Sequence, residues 1–357
     1  MKIAIDISIT DKTKTGTSIY VLELIKALKK DLPQNIELIY LRGPKSIKHK
    51  NIITQILNVL IQVYWLNIKI PLKVYSQKID LVHFPANIVP FFRFCKTVVT
   101  IHDANFMREP ETYNKLWSKY GLIQYINSSK IANRVITISE FSKKDIVKYF
   151  HAKEDNISVI YHGCRSLPIN NDVYENNFGK YVLFVGGAFP SKNLPRLIGA
   201  FSKTSELNLV ITGGEGSDID NVKNLASQLN MKRKRVFILG FVSDQVLDQL
   251  YRNAHMFIFP SLTEGFGFPP LEAMRYGIPV TSSNSGSLPE ILGKAAYFFN
   301  PLHEDEISES INIVSGDDKL RKKLIEEGYE RVKKYSWKNC AKLHLNEYIK
   351  VFNNDFK

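Results

Sequence analysis

Glu264 and Glu272 are separated by seven residues in the string SLTEGFGFPPLEAMRYGIPV, residues 261–280. Glu264 follows an apolar run that ends at Phe259–Pro260, so it stands at the mouth of an expected strand. Gly265 and Gly267 let the backbone approach a ligand closely. Pro269 and Pro270 pre-shape the first turn of a helix. Backbone N–H groups at a helix start, with the helix dipole, favour a phosphate. Glu272 falls within the first turns of that helix, where a carboxylate cannot bind phosphate but can accept hydrogen bonds from ribose hydroxyls. This pattern suits recognition of a phosphorylated nucleoside beside a carboxylate. A plain loop with a helix-capping acid is the other reading of such a Glu-Gly pair.

The elements that must position these residues are legible as apolar runs alternating with amphipathic segments. KIAIDI (2–7), IELIYL (36–41), Leu81–Phe84, Thr97–Ile101, RVITIS (134–139) and ISVIYHG (157–163) read as strands. Ser18–Lys30 and Glu140–Phe150 read as helices, the second capped by Ser139. A polar stretch, 170–179, reads as a linker. The pattern then restarts with strands at 181–187, 207–214, 235–240, 254–261, 278–283 and 295–299, with helices between them, and closes with charged helices over 304–335 and 337–352. Strands buried on both faces read as continuous apolar runs. Their alternation with helices, twice over, predicts an α/β protein of two doubly wound domains, 1–168 and 169–336, followed by a terminal helix over 337–357. Ligands of such folds bind at the carboxyl ends of the strands, and two such domains facing each other make a central cleft.

Composition narrows the classes. The 357 residues are 44% hydrophobic and 23% charged, which excludes disorder and coiled coils. Cys95, Cys164 and Cys340 form no CxxC pair, so neither a disulfide framework nor a structural zinc site is expected. The N-terminus MKIAIDIS lacks a secretory pattern. Residues 1–165 carry a net charge of +12 of the total +13, so the first half should meet something anionic. No zinc finger, RNP-like or helix-turn-helix pattern accompanies this charge, and no nucleic-acid partner is expected. The uncharged stretch 51–68 sets Gln55, Asn58 and Gln62 at helical spacing against Ile53, Ile56, Leu57, Leu60, Ile61 and Tyr64. Lys45, Lys48, Lys50, Lys69, Lys73 and Lys78 flank it, so it suits either a helix packed on the sheet or one lying on an anionic membrane.

The whole string 261–280 closely resembles the E-x7-E signature of retaining GT-B glycosyltransferases, the nucleotide-sugar enzymes of family 4. Other segments agree in order: FVGGAFPSKN (184–193), LVITGGEG (209–216), ILGFV (238–242), SLPE (287–290), TIHDANF (100–106) and the closing helix. The resemblance is strong over 181–300 and looser over 1–165. It implies a GT-B fold of two Rossmann-like domains, the first binding the acceptor, the second the nucleotide-sugar, with the last helix crossing back to the first domain. It further implies Glu264, Lys192 and His102 as the catalytic group. Gly16, Gly186, Gly187, Asn193, Gly213, Phe241, Val242, Gly265, Phe266, Gly267, Leu271 and Glu272 would line the donor. Lys192 would contact the diphosphate, whereas Gly187 stands where many members carry a second cation. His102 would hydrogen-bond the transferred sugar. Its rival role is that of a satisfied core histidine, and His83 and His162 are poorer candidates for the sugar contact.

The implied reaction is transfer of a hexose from a UDP- or GDP-linked donor to a glycan or lipid-linked saccharide, with retention, without a metal and without a further cofactor. Bacterial surface polysaccharide synthesis is the implied setting, in the cytoplasm or peripherally on the inner membrane face. The SKN and SGSLPE segments resemble the mannosyl-type members. A sugar-nucleotide epimerase and a non-enzymatic basic membrane or nucleic-acid module are the alternatives. A dinucleotide-binding dehydrogenase is excluded, because TKTGTS after the first strand is not G-x-G-x-x-G.

Overall fold

Each apolar run becomes a parallel strand, and each amphipathic segment a helix that covers it. The computed structural model describes residues 1–11, 15–45, 47, 52–108, 115–167, 178–204, 207–231 and 233–354. The chain divides into two units, Met1–Gly163 with Trp337–Lys357, and Cys164–Ser336. The division falls between Gly163 and Cys164 rather than after residue 168. Most of the expected linker, together with Lys48 and Lys50, lies outside the described residues.

The first unit runs β1 (Lys2–Asp6), α1 (Gly16–Lys30), β2 (Glu37–Leu41), α2 (Ile52–Tyr64), a π-helical turn (Trp65–Lys69), α3 (Ile70–Gln77), β3 (Leu81–Phe84), β4 (Lys96–Thr100), α4 (Asn105–Arg108), α5 (Lys115–Ile131), β5 (Arg134–Thr137), α6 (Glu140–Phe150) and β6 (Ile157–Val159). Its six strands lie in the order β2-β1-β3-β4-β5-β6, all parallel, so the strand order reverses between β1 and β3. Thr15 and Ser18 form a reciprocal capping box that starts α1. Ser139 caps α6, as its sequence position predicts.

One sheet face carries Tyr20, Val21 and Leu24 of α1, all fully buried. The C-terminal helix packs on the same face through Tyr348 and Val351. A chain of hydrogen bonds fixes this return. The His344 Nδ1–H donates to the Cys340 carbonyl at 2.8 Å, which leaves Nε2 to accept from the Tyr20 hydroxyl at 2.8 Å. Tyr20 in turn accepts from Thr100 at 2.9 Å, and Thr100 accepts from His83 Nε2 at 2.8 Å. His83 Nδ1 then accepts from the Tyr348 hydroxyl at 2.8 Å. One arrangement of protons satisfies every member only if both imidazoles are neutral. Burial agrees, holding His83 and His344 below the usual histidine range.

The second unit runs β7 (Tyr181–Val185), α7 (Leu194–Phe201), β8 (Asn208–Thr212), α8 (Ile219–Asn230), β9 (Val236–Gly240), α9 (Asp244–Asn253), β10 (Met256–Phe259), α10 (Phe268–Arg275), β11 (Val280–Ser283), α11 (Leu288–Leu292), β12 (Ala296–Phe299), α12 (Glu304–Gly316) and α13 (Asp318–Val332). The C-terminal helix of the first unit, α14 (Trp337–Asn353), follows. The strands lie in the parallel order β12-β11-β10-β7-β8-β9. The reversal here falls between β7 and β10, and the loops after those two strands carry Lys192 and Glu264. In an open α/β sheet that is the position where a ligand crevice forms.

Candidate active site

Lys192 and Glu264 are brought together across 72 residues of chain, and the ammonium donates to Glu264 Oε1. Both side chains are mostly shielded but not sealed, with 22% and 13% of their surface exposed, so each can exchange its partner for a ligand. Lys192 also stands 5.4 Å over the ring of Phe259, the last residue of β10.

Backbone contacts hold the two loops in place. The Leu262 N–H donates to the Ser191 carbonyl at 2.8 Å, which ties the Glu264 loop to the Lys192 turn. The Ser287 N–H donates to the Glu264 carbonyl at 3.1 Å. Gly286 lies so close behind Glu264 that a Cβ there would come within 2.7 Å of the Glu264 nitrogen. Its φ of +65° also lies in the region that favours glycine.

Asn193, an expected donor contact, has another role. It adopts a left-handed conformation with φ of 58° and is buried. Its amide donates to the Pro260 and Pro301 carbonyls at 3.2 and 2.7 Å, while its oxygen accepts from Arg196 at 2.6 Å. The side chain is consumed in fastening the Lys192 turn to the loops after β10 and β12.

The helix start after Glu264 is narrower as an anion site than the sequence suggests. α10 opens at Phe268 with Gly267 as its cap. The four amide positions that open the helix are Gly267 to Pro270, and Pro269 and Pro270 carry no N–H, which halves the donors there. The Leu271 side chain is fully buried, and Phe266 packs edge-on against Phe268 and Tyr335 at 5.3 and 5.6 Å. These two side chains therefore belong to the core, as does buried Gly265. Glu272 is buried as well, with the Tyr251 hydroxyl donating to it at 2.9 Å. Burial raises its pKa, opposed by the nearby Arg165 guanidinium.

A cavity of about 200 Å³ opens beyond the ends of β7, β8 and β9. Gly186 and Gly213, two of the expected donor contacts, line it together with Gly214, Glu215, Lys223 and Gly240. Gly213 has φ of +143°, and a Cβ there would overlap the Gly186 carbonyl at 2.2 Å. The closely packed Gly186 and Gly213 backbones thus form part of the wall, beside apolar Ile211, Val222 and Ile238. Gly187 adjoins this wall without lining the cavity. Phe241 is exposed and Val242 half-buried just past β9. Sequence reasoning missed Lys223, which pairs with Glu215 at 3.7 Å, because a lysine on an exposed helix face carries no motif.

In the first unit, His102 is buried, and its Nε2–H donates to the Pro85 carbonyl at 2.8 Å. Burial lowers its pKa to about 4. It is therefore neutral at pH 7, with Nδ1 as the acceptor nitrogen, and suits accepting a hydrogen bond from a hydroxyl rather than acid catalysis. Gly16 is the exposed first residue of α1.

Comparison with known proteins agrees with this geometry. Residues 170–331 match the family model of glycosyl transferases group 1, and residues 14–165 match that of glycosyltransferase family 4. The chain is 30% identical to O-antigen chain mannosyltransferase B of Escherichia coli over 287 residues, covering 75% of this chain and 74% of that protein. It is 30% identical to O-antigen chain mannosyltransferase RfbU of Salmonella typhimurium over 247 residues, covering 69% and 66% respectively. Among solved structures, sucrose-phosphate synthase from Thermosynechococcus elongatus shares the fold with a TM-score of 0.80 at 17% identity, covering 99% of this chain and all of that one. The two doubly wound sheets and these matches define a GT-B glycosyltransferase. The chain belongs to glycosyltransferase family 4 and is a hexosyl-transferring enzyme.

Proposed function

We propose that this enzyme is a retaining mannosyltransferase of bacterial surface polysaccharide synthesis. It would use a nucleotide-linked mannose donor, with the GDP-linked form as first choice, and extend a glycan or lipid-linked saccharide. The Lys192–Glu264 pair at the strand-order reversal carries this reading. The two O-antigen mannosyltransferases support the sugar and the setting.

In the reaction, the bond between the anomeric carbon and the diphosphate oxygen breaks, and the acceptor hydroxyl oxygen bonds to that carbon on the same face. The hydroxyl proton passes to the departing diphosphate. Lys192 exchanges Glu264 for the diphosphate and stabilises its developing charge. Glu264, released, accepts hydrogen bonds from the sugar hydroxyls. The start of α10 turns the positive end of its dipole to the diphosphate, and Glu272 accepts from the ribose. The lysine supplies the cationic charge, so the reaction needs no metal.

The enzyme would work peripherally on an anionic inner membrane face. No helix among the described residues is long and apolar enough to cross a membrane. Ile53, Ile56, Leu57 and Leu60 of α2 are nevertheless exposed, and so are Leu72 and Tyr75 of α3. Lys69 and Lys78 are exposed on the same stretch. This combination suits apolar contact with lipid plus attraction to anionic headgroups.

A panel of UDP- and GDP-sugars, followed by nucleoside diphosphate release with and without EDTA, tests the reading. Release from GDP-mannose that survives EDTA, and an α-linked product from the α-linked donor, are expected. Preference for another sugar, loss with EDTA or an inverted linkage overturns the corresponding part.

A further inference from the structure

α9 turns polar side chains towards the core. Its buried residues are Asp248, Leu250 and Tyr251, and a buried carboxylate or hydroxyl is costly unless it is hydrogen-bonded. Asp248 is provided for: Arg252 donates to it at 2.7 and 3.2 Å, and the Tyr276 hydroxyl at 2.5 Å. Tyr251 reaches across to α10 instead, where its hydroxyl lies 2.9 Å from Oε2 of Glu272.

That contact has a direction. An ionised carboxylate can only accept, so the proton comes from the tyrosine. The Pro269 carbonyl is the poorer acceptor, at 3.5 Å. The Tyr251 ring cannot swing away, because it is fully buried, stacked on Tyr276 at 5.2 Å and packed against Phe257 at 6.1 Å. One carboxylate oxygen of Glu272 is therefore held, and among the described residues no donor reaches the other, Oε1.

The surroundings make this single bond count. Burial favours the neutral acid, and the Asp244 carboxylate acts in the same direction. Arg165, ion-paired to Asp244 at 2.7 Å, opposes them, and so does the Tyr251 hydroxyl. Cys164 and Tyr276 also face the carboxyl. Burial pushes the Cys164 thiol up to about 12 and Tyr276 above the usual tyrosine range, so neither is charged near neutral pH. The balance leaves Glu272 above the ordinary carboxylate range, and loss of the tyrosine hydroxyl would raise it further.

We propose that Tyr251 is a positioning residue of the transfer reaction: it grips Oε2 of Glu272 and so turns Oε1 to accept from a ribose hydroxyl of the donor. The same hydrogen bond keeps Glu272 in the ionised form that can accept. The proposal rests on the nucleotide-sugar reading above and adds the group that prepares Glu272 for it.

Tyr251→Phe removes one oxygen and keeps the ring. Its affinity for GDP-mannose is read by calorimetry at pH 8 and at pH 5.5, where the diphosphate diester is ionised throughout. The variant should bind within about threefold of the wild type at pH 8 and about tenfold or more below it at pH 5.5, as a rise of about one in the Glu272 pKa requires. A side chain that merely filled space would weaken binding alike at the two pH values. Equal loss at both, or no loss at pH 5.5, overturns the proposal. If circular dichroism finds Tyr251→Phe unfolded, Glu272→Gln takes its place. That variant should bind GDP-mannose more weakly than the wild type at pH 8 and with the same affinity at pH 5.5, and a retained pH dependence overturns the proposal. If GDP-mannose does not bind the wild type, the comparison moves to the nucleotide-sugar of the panel that does. Binding of none refutes the donor reading and this proposal with it, a result distinct from a failed pH comparison.

Discussion

Replacing Gly286 by alanine should cripple the enzyme without unfolding it. The new Cβ would lie 2.7 Å from the Glu264 nitrogen and 2.8 Å from its carbonyl oxygen, whereas ordinary contact begins near 3.4 Å. The Glu264 backbone must therefore retreat by 3.4 − 2.7, about 0.7 Å. The obstacle is backbone, which cannot swing aside like the tip of a side chain. The left-handed conformation costs an alanine about 1–2 kcal/mol, and crowding of this kind adds about 1–3 kcal/mol. A loss of about 2–5 kcal/mol lowers the Tm by several degrees but stays within the stability of an ordinary domain. Misplacement of a binding group by nearly 1 Å costs on the order of 100-fold in rate. Nucleoside diphosphate release, read beside thermal melts by circular dichroism, gives both quantities. Gly316→Ala is the control, because a Cβ there meets nothing within 4 Å. Wild-type turnover in folded Gly286→Ala would refute the idea that this contact sets the position of Glu264.

Three further outcomes follow from the same geometry. Lys192→Ala should weaken binding of the nucleoside diphosphate product at least tenfold by calorimetry, and unchanged affinity would show that the lysine does not face the diphosphate. His102 and His344 titrate near pH 4 when folded and near 6.5 when unfolded, so the unfolded chain takes up protons first and stability falls as pH drops from about 6.5 towards 4. At pH 5 each should cost about 2 kcal/mol relative to pH 7, and equal urea midpoints at the two pH values would contradict it. Co-sedimentation with anionic vesicles should occur and fade with salt, whereas equal binding to neutral vesicles would mean apolar insertion alone.

Much of this architecture was legible before any coordinates, because parallel strands buried on both faces leave continuous apolar runs such as YVLFV and MFIF. The E-x7-E string likewise marked the loop and helix that follow β10. The pairing of Lys192 with Glu264 was not legible, since it depends on β7 lying beside β10 across the strand-order reversal. Phe266, Leu271 and Asn193 look like ligand contacts in a motif, yet their side chains fasten the loops. The stretch 51–68 shows the limit most clearly: its periodicity gives a polar and an apolar side, but only the anchoring of Trp65, Leu66, Ile70 and Val74 decides that the polar side faces inward. The return of the last helix rests on hydrogen bonds between Tyr20 and His344 and between His83 and Tyr348, far apart in sequence.

Turnover of Glu264→Ala with GDP-mannose and a saccharide acceptor, set beside its affinity for GDP, bears most directly on where the chemistry occurs. If Glu264 binds the sugar once Lys192 has turned to the diphosphate, as proposed, kcat/KM should fall at least tenfold, about 1.4 kcal/mol or more. The affinity for GDP should hold or rise, because Lys192 loses the carboxylate that competes for it. A folded Glu264→Ala enzyme with full activity would place glycosyl transfer elsewhere in the molecule.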